Sequence, residues 1–135
     1  MAQVAYREVA AAIQHGETTT MAAHFRANGM LTAKDVAEAA QQGDELAKRI
    51  VHSTGIRLGE ALAILVDVLN PERIVIGGLA MRLGDGLLAT ARTKMAREAL
   101  SVSARNCQVV PAALGEQIGD IAAICVAMDC LCCAP

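Results

Sequence analysis

A helix-rich α/β fold with two short parallel strands is what the order of apolar runs in this chain predicts. Three observations carry that expectation. An apolar helical stretch ends at Asn70-Pro71, and the β-branched run Ile74-Val75-Ile76 follows at once. A second short apolar run, Cys107–Val110, is bounded by Pro111. Helical spacing before, between and after these runs gives helix, strand, helix, strand, helix over 45–130, the pattern of a crossover between parallel strands.

Taken in order, Val4, Val9, Ala12 and Ile13 share a helical face over 3–14, and His15-Gly16 ends that helix. Residues 16–31 are mixed and polar, with Gly16, Asn28 and Gly29 as breakers around a short helix near 21–26. Thr32 is placed to cap a helix running to Gln42, with Asp35 reaching back to it. Gly43 supplies the left-handed stop, and Asp44 caps the long helix over 45–69. On that helix Leu46, Ile50, Leu58, Leu62, Leu65 and Leu69 make one predicted apolar face. Gly55, Gly59 and Ala63 form a row of small residues. Each interior glycine costs about 1 kcal/mol relative to alanine, so the row predicts another element lying very close.

Leu79–Asp85 reads as a loop, with Gly84-Asp85-Gly86 as a turn and helix cap. The helix after it spans 86–100, with Leu87, Leu88, Ala91 and Met95 inward. Ala112–Gly115 reads as a loop before a last helix over 117–130, whose small-residue face holds Gly119, Ala122, Ala123 and Val126. Three parts result: a helix and irregular connection over 1–31, the α/β portion over 32–131, and a tail over 132–135. Two strands are too few for a parallel sheet covered on both faces. The remaining strands are expected from a missing N-terminal lobe or a homo-oligomer partner.

Composition removes several functions. Hydrophobic residues make up 54% of the chain, so a core can form, but Tyr6 and Phe25 are its whole aromatic supply. Base stacking on aromatic platforms is excluded, and the net charge of -2 gives no electrostatic footprint for nucleic acid. No apolar run approaches the ~18 residues of a membrane span, and no secretory signal pattern opens the chain. Five cysteines clustered mostly at one end are a poor disulfide framework. Reduced thiols in a cytoplasmic protein are expected. Cys130, Cys132 and Cys133 lack a second ligand pair for zinc, so no metal site is expected. His52 beside Ser53 on a helix makes no nucleophile and base pair.

The runs Leu31-Thr32-Ala33-Lys34-Asp35-Val36, Gly43-Asp44, Leu58-Gly59 and Asn70-Pro71-Glu72-Arg73-Ile74-Val75-Ile76-Gly77-Gly78 together resemble the C-terminal portion of ROK-family proteins. These are bacterial sugar kinases, glucokinase among them, and sugar-responsive repressors. Val109-Val110-Pro111-Ala112-Ala113-Leu114-Gly115, with Gly119 and Ala123, is similar to the family's closing strand and helix. The resemblance covers roughly residues 30–128.

It implies part of an actin-like, ribonuclease-H-like ATPase domain, with two lobes closing over ATP-Mg and a sugar. On that resemblance Gly77 and Gly78 approach the nucleotide, because no Cβ stands in the way. Leu79 stands where the family often has a third glycine. Arg82, in the loop after the glycines, is the cation nearest the expected phosphates. Gly115 and Gly119 fall at the hinge between lobes. Asp67 and Ile64 stand where asparagine is more usual. The family's phosphate loop, general base, sugar segment and zinc signature do not occur in this chain, so no catalytic residue is assigned. Phosphoryl transfer needs that positioning and charge stabilisation. The chain alone is therefore expected to be inactive and to bind ATP weakly. The readings are the nucleotide side of a sugar kinase, the effector-binding part of a repressor, or a non-catalytic interaction module.

Overall fold

A computed structural model describes the backbone of residues 2–132 and, within it, the side chains of all but residues 2–6, 79–82, 116, 118 and 129–132. The elements are α1 (Ala2–Gln14), α2 (Met21–Asn28), α3 (Ala33–Gln41), α4 (Glu45–Leu69), β1 (Arg73–Ile76), α5 (Leu79–Glu98), α6 (Ser101–Asn106), β2 (Gln108–Pro111) and α7 (Ile118–Cys132), with a 3-10 turn over Gly115–Gln117 before α7.

Local chemistry sets the helix starts. Thr32 and Asp35 form a capping box at α3. The Thr32 N–H donates to Asp35 Oδ2 at 2.7 Å, and the Asp35 N–H donates to Thr32 Oγ1 at 3.3 Å. Gly43 takes φ +94 between α3 and α4. Asp44 then accepts from the Ala47 N–H at 3.0 Å and caps α4. The same carboxylate accepts from the Thr19 hydroxyl, the Thr20 N–H and the Thr20 hydroxyl. The corner between α1 and α2 is thereby tied to the start of the longest helix, and Arg49 adds an ion pair to Glu17 at 2.6 Å.

Two apolar clusters form the core. The first joins Val9, Ala12, Met21, Leu31, Val36, Leu46, Ile50, Val51, Leu83 and Leu87. The second joins Leu62, Ala63, Val66, Leu88, Ala91, Met95, Cys107 and Val109, with Ile74 and Ile76 packed against it. Both are threaded by α4 and α5. The glycine row does what its cost predicts. A Cβ on Gly55 would stand 2.8 Å from Thr90 Cβ, and one on Gly59 would stand 2.6 Å from Ala91 O. Backbone meets backbone where α4 crosses α5.

Three expectations are corrected. The buried face of α4 runs through Gly55, Gly59, Leu62, Ala63 and Val66, whereas Leu65 and Leu69 point outward, 45% and 66% exposed. Steps of four residues overshoot a 3.6-residue turn by about 40°, so a row of leucines drifts off the contact line. Leu79–Asp85 is not a loop: α5 starts at Leu79 and breaks only at Gly84, with φ 67 and ψ -163. The helix also ends earlier, at Glu98, and α6 follows as a separate turn. The small-residue face named on α7 faces solvent among the described residues. Gly119, Ala122, Ala123 and Val126 are all exposed.

β1 and β2 pair in parallel, with Ile74 opposite Val109 and Val75 opposite Val110. Ile74 and Ile76 turn to the core, while Val75 is 58% exposed on the open face. One face of the sheet is therefore covered and the other is not, against the rule for parallel sheets. Among the described residues no helix is long and apolar enough to cross a membrane.

Candidate functional site

Gly77 and Gly78 form the corner where β1 ends and α5 begins. Ligands in open α/β sheets bind outside the carboxyl ends of parallel strands, and this corner lies at that end. Gly78 takes φ +53 and ψ -87, a conformation that L side chains rarely adopt, so glycine is required there. A Cβ at Gly77 would meet only Ala112 Cβ, at 3.9 Å, and one at Gly78 would meet nothing within 4 Å. Both residues are exposed. The main chain of the elbow is open on the side a Cβ would occupy, and α5 begins directly after it.

Leu79 is the first residue of α5. Its side chain and that of Arg82 lie outside the described residues. Gly115 opens the 3-10 turn with φ +57, and Gly119 is the second residue of α7 with nothing near its Cβ direction. Both fall after β2, whose last residue, Pro111, pairs with Ile76 just before the elbow. The sheet thus brings the elbow and the start of the α7 connection to one end of the molecule.

The elbow fits the nucleoside half of the expected cofactor, because its backbone is bare and reachable. No group of His, Cys, Asp and Glu able to hold a metal occurs among the described residues. The Cys130, Cys132 and Cys133 side chains lie outside them. A recess of about 720 Å³, lined by Asn70, Glu72, Arg73, Asn106 and Gln108, lies at the opposite, amino end of the strands. Its polar lining and its position away from the elbow separate it from the candidate site.

Sequence reasoning missed two contacts. Asp67 Oδ1 accepts from the Leu100 N–H at 2.8 Å and ties α4 to the start of α6. Arg92 Nε donates to the Val109 carbonyl at 2.8 Å and ties α5 to β2. Neither has a local sequence signal, since each partner is remote in the chain. Ser53 donates to the Ile50 carbonyl within its own helix, while His52 lies beside Thr90, so the two act apart.

The ROK family profile matches residues 10–129. A glucokinase from Halalkalibacterium halodurans is 38% identical over 108 residues, covering 80% of this chain and 32% of that protein. The DNA-binding transcriptional repressor Mlc of Escherichia coli is 33% identical over 79 residues, covering 58% of this chain and 20% of the repressor. Among solved structures, a ROK family transcriptional regulator homologous to Mlc aligns with a TM-score of 0.70 and 29% identity, covering 82% of this chain and 27% of its own. The chain thus spans a fifth to a third of the length of these curated relatives.

Proposed function

The chain belongs to the ROK family, and from that premise we propose that it is the nucleotide-side, C-terminal portion of an ATP-dependent sugar kinase. In this reading it contributes part of an actin-like, ribonuclease-H-like ATPase domain working in the cytoplasm. The complete protein transfers a phosphoryl group to a hexose-type sugar, and this chain alone transfers none. Gly77 and Gly78 receive the adenosine against bare backbone, with Leu79 at the start of the following helix. Gly115 and Gly119 lie at the hinge. ATP with Mg supplies the phosphoryl group, and a missing lobe supplies the base, the sugar contacts and the phosphate loop.

The observation that carries this reading is the open Gly77-Gly78 elbow at the carboxyl end of β1. The similarity to glucokinase along most of the chain supports it. The test is a titration of the isotope-labelled chain with ATP-Mg, followed by amide resonances. Millimolar nucleotide is expected to shift Gly77, Gly78 and Leu79 first, with no phosphorylated sugar formed. Shifts confined to other residues, or none, sink the nucleotide assignment.

A second reading is favoured by the likeness to Mlc and to the solved regulator. Here the same portion belongs to a sugar-responsive repressor and serves effector binding and oligomerisation. Coding sequence upstream of Met1 discriminates between them. A phosphate loop with a general base selects the kinase, and a helix-turn-helix selects the repressor.

A further inference from the structure

Helix α2 is moored at its start, where Asp44 takes the Thr19 hydroxyl and the Thr20 N–H. Further along it, His24 and Asn28 lie one turn apart, with Asn28 Nδ2 2.9 Å from His24 Nε2. The same ring nitrogen stands 3.5 Å from Asp35 Oδ2, on α3. Two groups of opposite demand thus converge on one nitrogen. An amide NH2 can only donate to it, and a carboxylate can only accept from it.

One nitrogen cannot serve both at once. With the ring neutral and its proton on Nδ1, Nε2 carries a lone pair and accepts from the Asn28 amide. The 2.9 Å contact is that arrangement, and it leaves Asp35 too far for a good hydrogen bond. With the ring protonated, Nε2 carries a hydrogen. The Asn28 NH2 then faces another donor, and the carboxylate becomes the partner that fits.

The surroundings favour the exchange. Asp35 Oδ2 already accepts the Thr32 N–H and hydroxyl, each at 2.7 Å. Those bonds hold its carboxyl below the usual 3.8, so it is charged wherever histidine titrates. An ionised carboxylate offers about four lone-pair sites, which leaves room for a further donor. On the same side, Glu38 lines a crevice with His24, Asp35, Thr20 and Gln42, and it pairs with Lys34 at 3.7 Å. Toward α1 the helix turns Ala22, Ala23 and Arg26, with Glu17 as the acidic neighbour there. The His24 side chain is 48% exposed, so solvent delivers the proton directly.

We propose that His24 is a proton-operated latch between α2 and α3. One proton from solvent adds to Nε2, which releases Asn28 on its own helix and takes Asp35 across the crevice. Mild acid thereby adds a second polar mooring to α2, beyond the one at Asp44. An exposed pair of this kind contributes little to the stability of the whole chain, so its effect is read locally.

The test follows the imidazole nitrogen resonances and the Asn28 side-chain amide of the isotope-labelled chain from about pH 8 to about pH 5, where histidine changes charge. At the alkaline end Nε2 is expected to be the bare nitrogen and Nδ1 the protonated one. The Asn28 amide signals are expected to move with the same midpoint as the ring. Protection factors of α2 amides, which remove the intrinsic pH dependence of exchange, are expected to rise about two- to fivefold as the ring charges, the worth of an exposed ion pair. His24→Gln is expected to abolish that rise. Asp35→Asn still caps α3, and is expected to lose the rise while the Asn28 signals continue to titrate. Asn28→Ala is expected to keep the rise and lose the preference for a bare Nε2. A proton on Nε2 at the alkaline end, or an Asn28 amide indifferent to pH, overturns the proposal. So does protection that stays flat, or a rise that survives His24→Gln or Asp35→Asn.

Discussion

The carbonyl oxygen of Ala91 stands 2.6 Å from where a Cβ on Gly59 would be. At that point the α4 main chain lies against the Ala91 carbonyl and the Lys94 side-chain stem of α5. Gly59→Ala gains about 1 kcal/mol of helix propensity but must force the helices apart, at about 1–3 kcal/mol for overpacking. The carbonyl belongs to a packed helix and yields little, so net destabilisation is expected as a lower urea midpoint. Gly119→Ala is the control, because nothing surrounds that Cβ direction. Equal midpoints for the two variants would contradict the close crossing.

Asp44 ties three segments together, and its removal separates them. Asp44→Ala loses the α4 cap and the tie to Thr19 and Thr20. A loss of about 1–2 kcal/mol is expected. Amide hydrogen exchange should accelerate most in α1 and α2, which lose their polar anchor. Uniform acceleration along the chain would mean the tie is only a cap.

Acid is expected to act through the same caps. Hydrogen bonds from the Thr32 hydroxyl and main chain hold the Asp35 carboxyl below its usual 3.8. Burial pushes Asp44 up, but donors from Ala47, Thr20 and Thr19 outweigh it and leave that carboxyl low as well. Because both folded values are depressed, the unfolded chain takes up protons first as pH falls. Their stabilisation is complete well above 3.8 and disappears as pH drops through the lower folded values. Denaturation midpoints should be level toward pH 5 and fall below 4. A double Asp35→Asn, Asp44→Asn variant should show a shallower fall.

Thiol chemistry is expected to separate by burial. Burial pushes the Cys107 thiol up, while Cys125 is exposed on α7. Alkylation at neutral pH, followed by peptide mass analysis, should modify Cys125 well before Cys107. Early modification of Cys107 would mean that the second apolar cluster opens readily.

Much of this architecture was legible because it is local. Thr32 with Asp35, Gly43, and Asp44 with its following N–H groups are signals within a few residues, and each sits where its chemistry placed it. Gly55 and Gly59 were legible through their cost, which only a close neighbour offsets. The elbow was legible as a β-branched run meeting two glycines. The helical turn over Leu79–Leu83 was hidden because glycines flank it on both sides and give the composition of a loop. The outward leucines of α4 were misassigned because leucine spacing describes a face but not its contact line. Arg92 and Asp67 escaped because their partners, Val109 and Leu100, come near only after the helices pack.

The break at Gly84 gives the chain leaving the elbow an unusual anchorage. Leu83, just before it, belongs to the cluster shared with α1 and α3, while Ile74 and Ile76, just ahead of the elbow, belong to the cluster beside the sheet. Gly77 and Gly78 are therefore moored at both sides, each mooring in a different body of packed side chains. A displacement of one cluster against the other would reach those two glycines, because the stretch from Ile76 to Leu83 is one of the connections between the two.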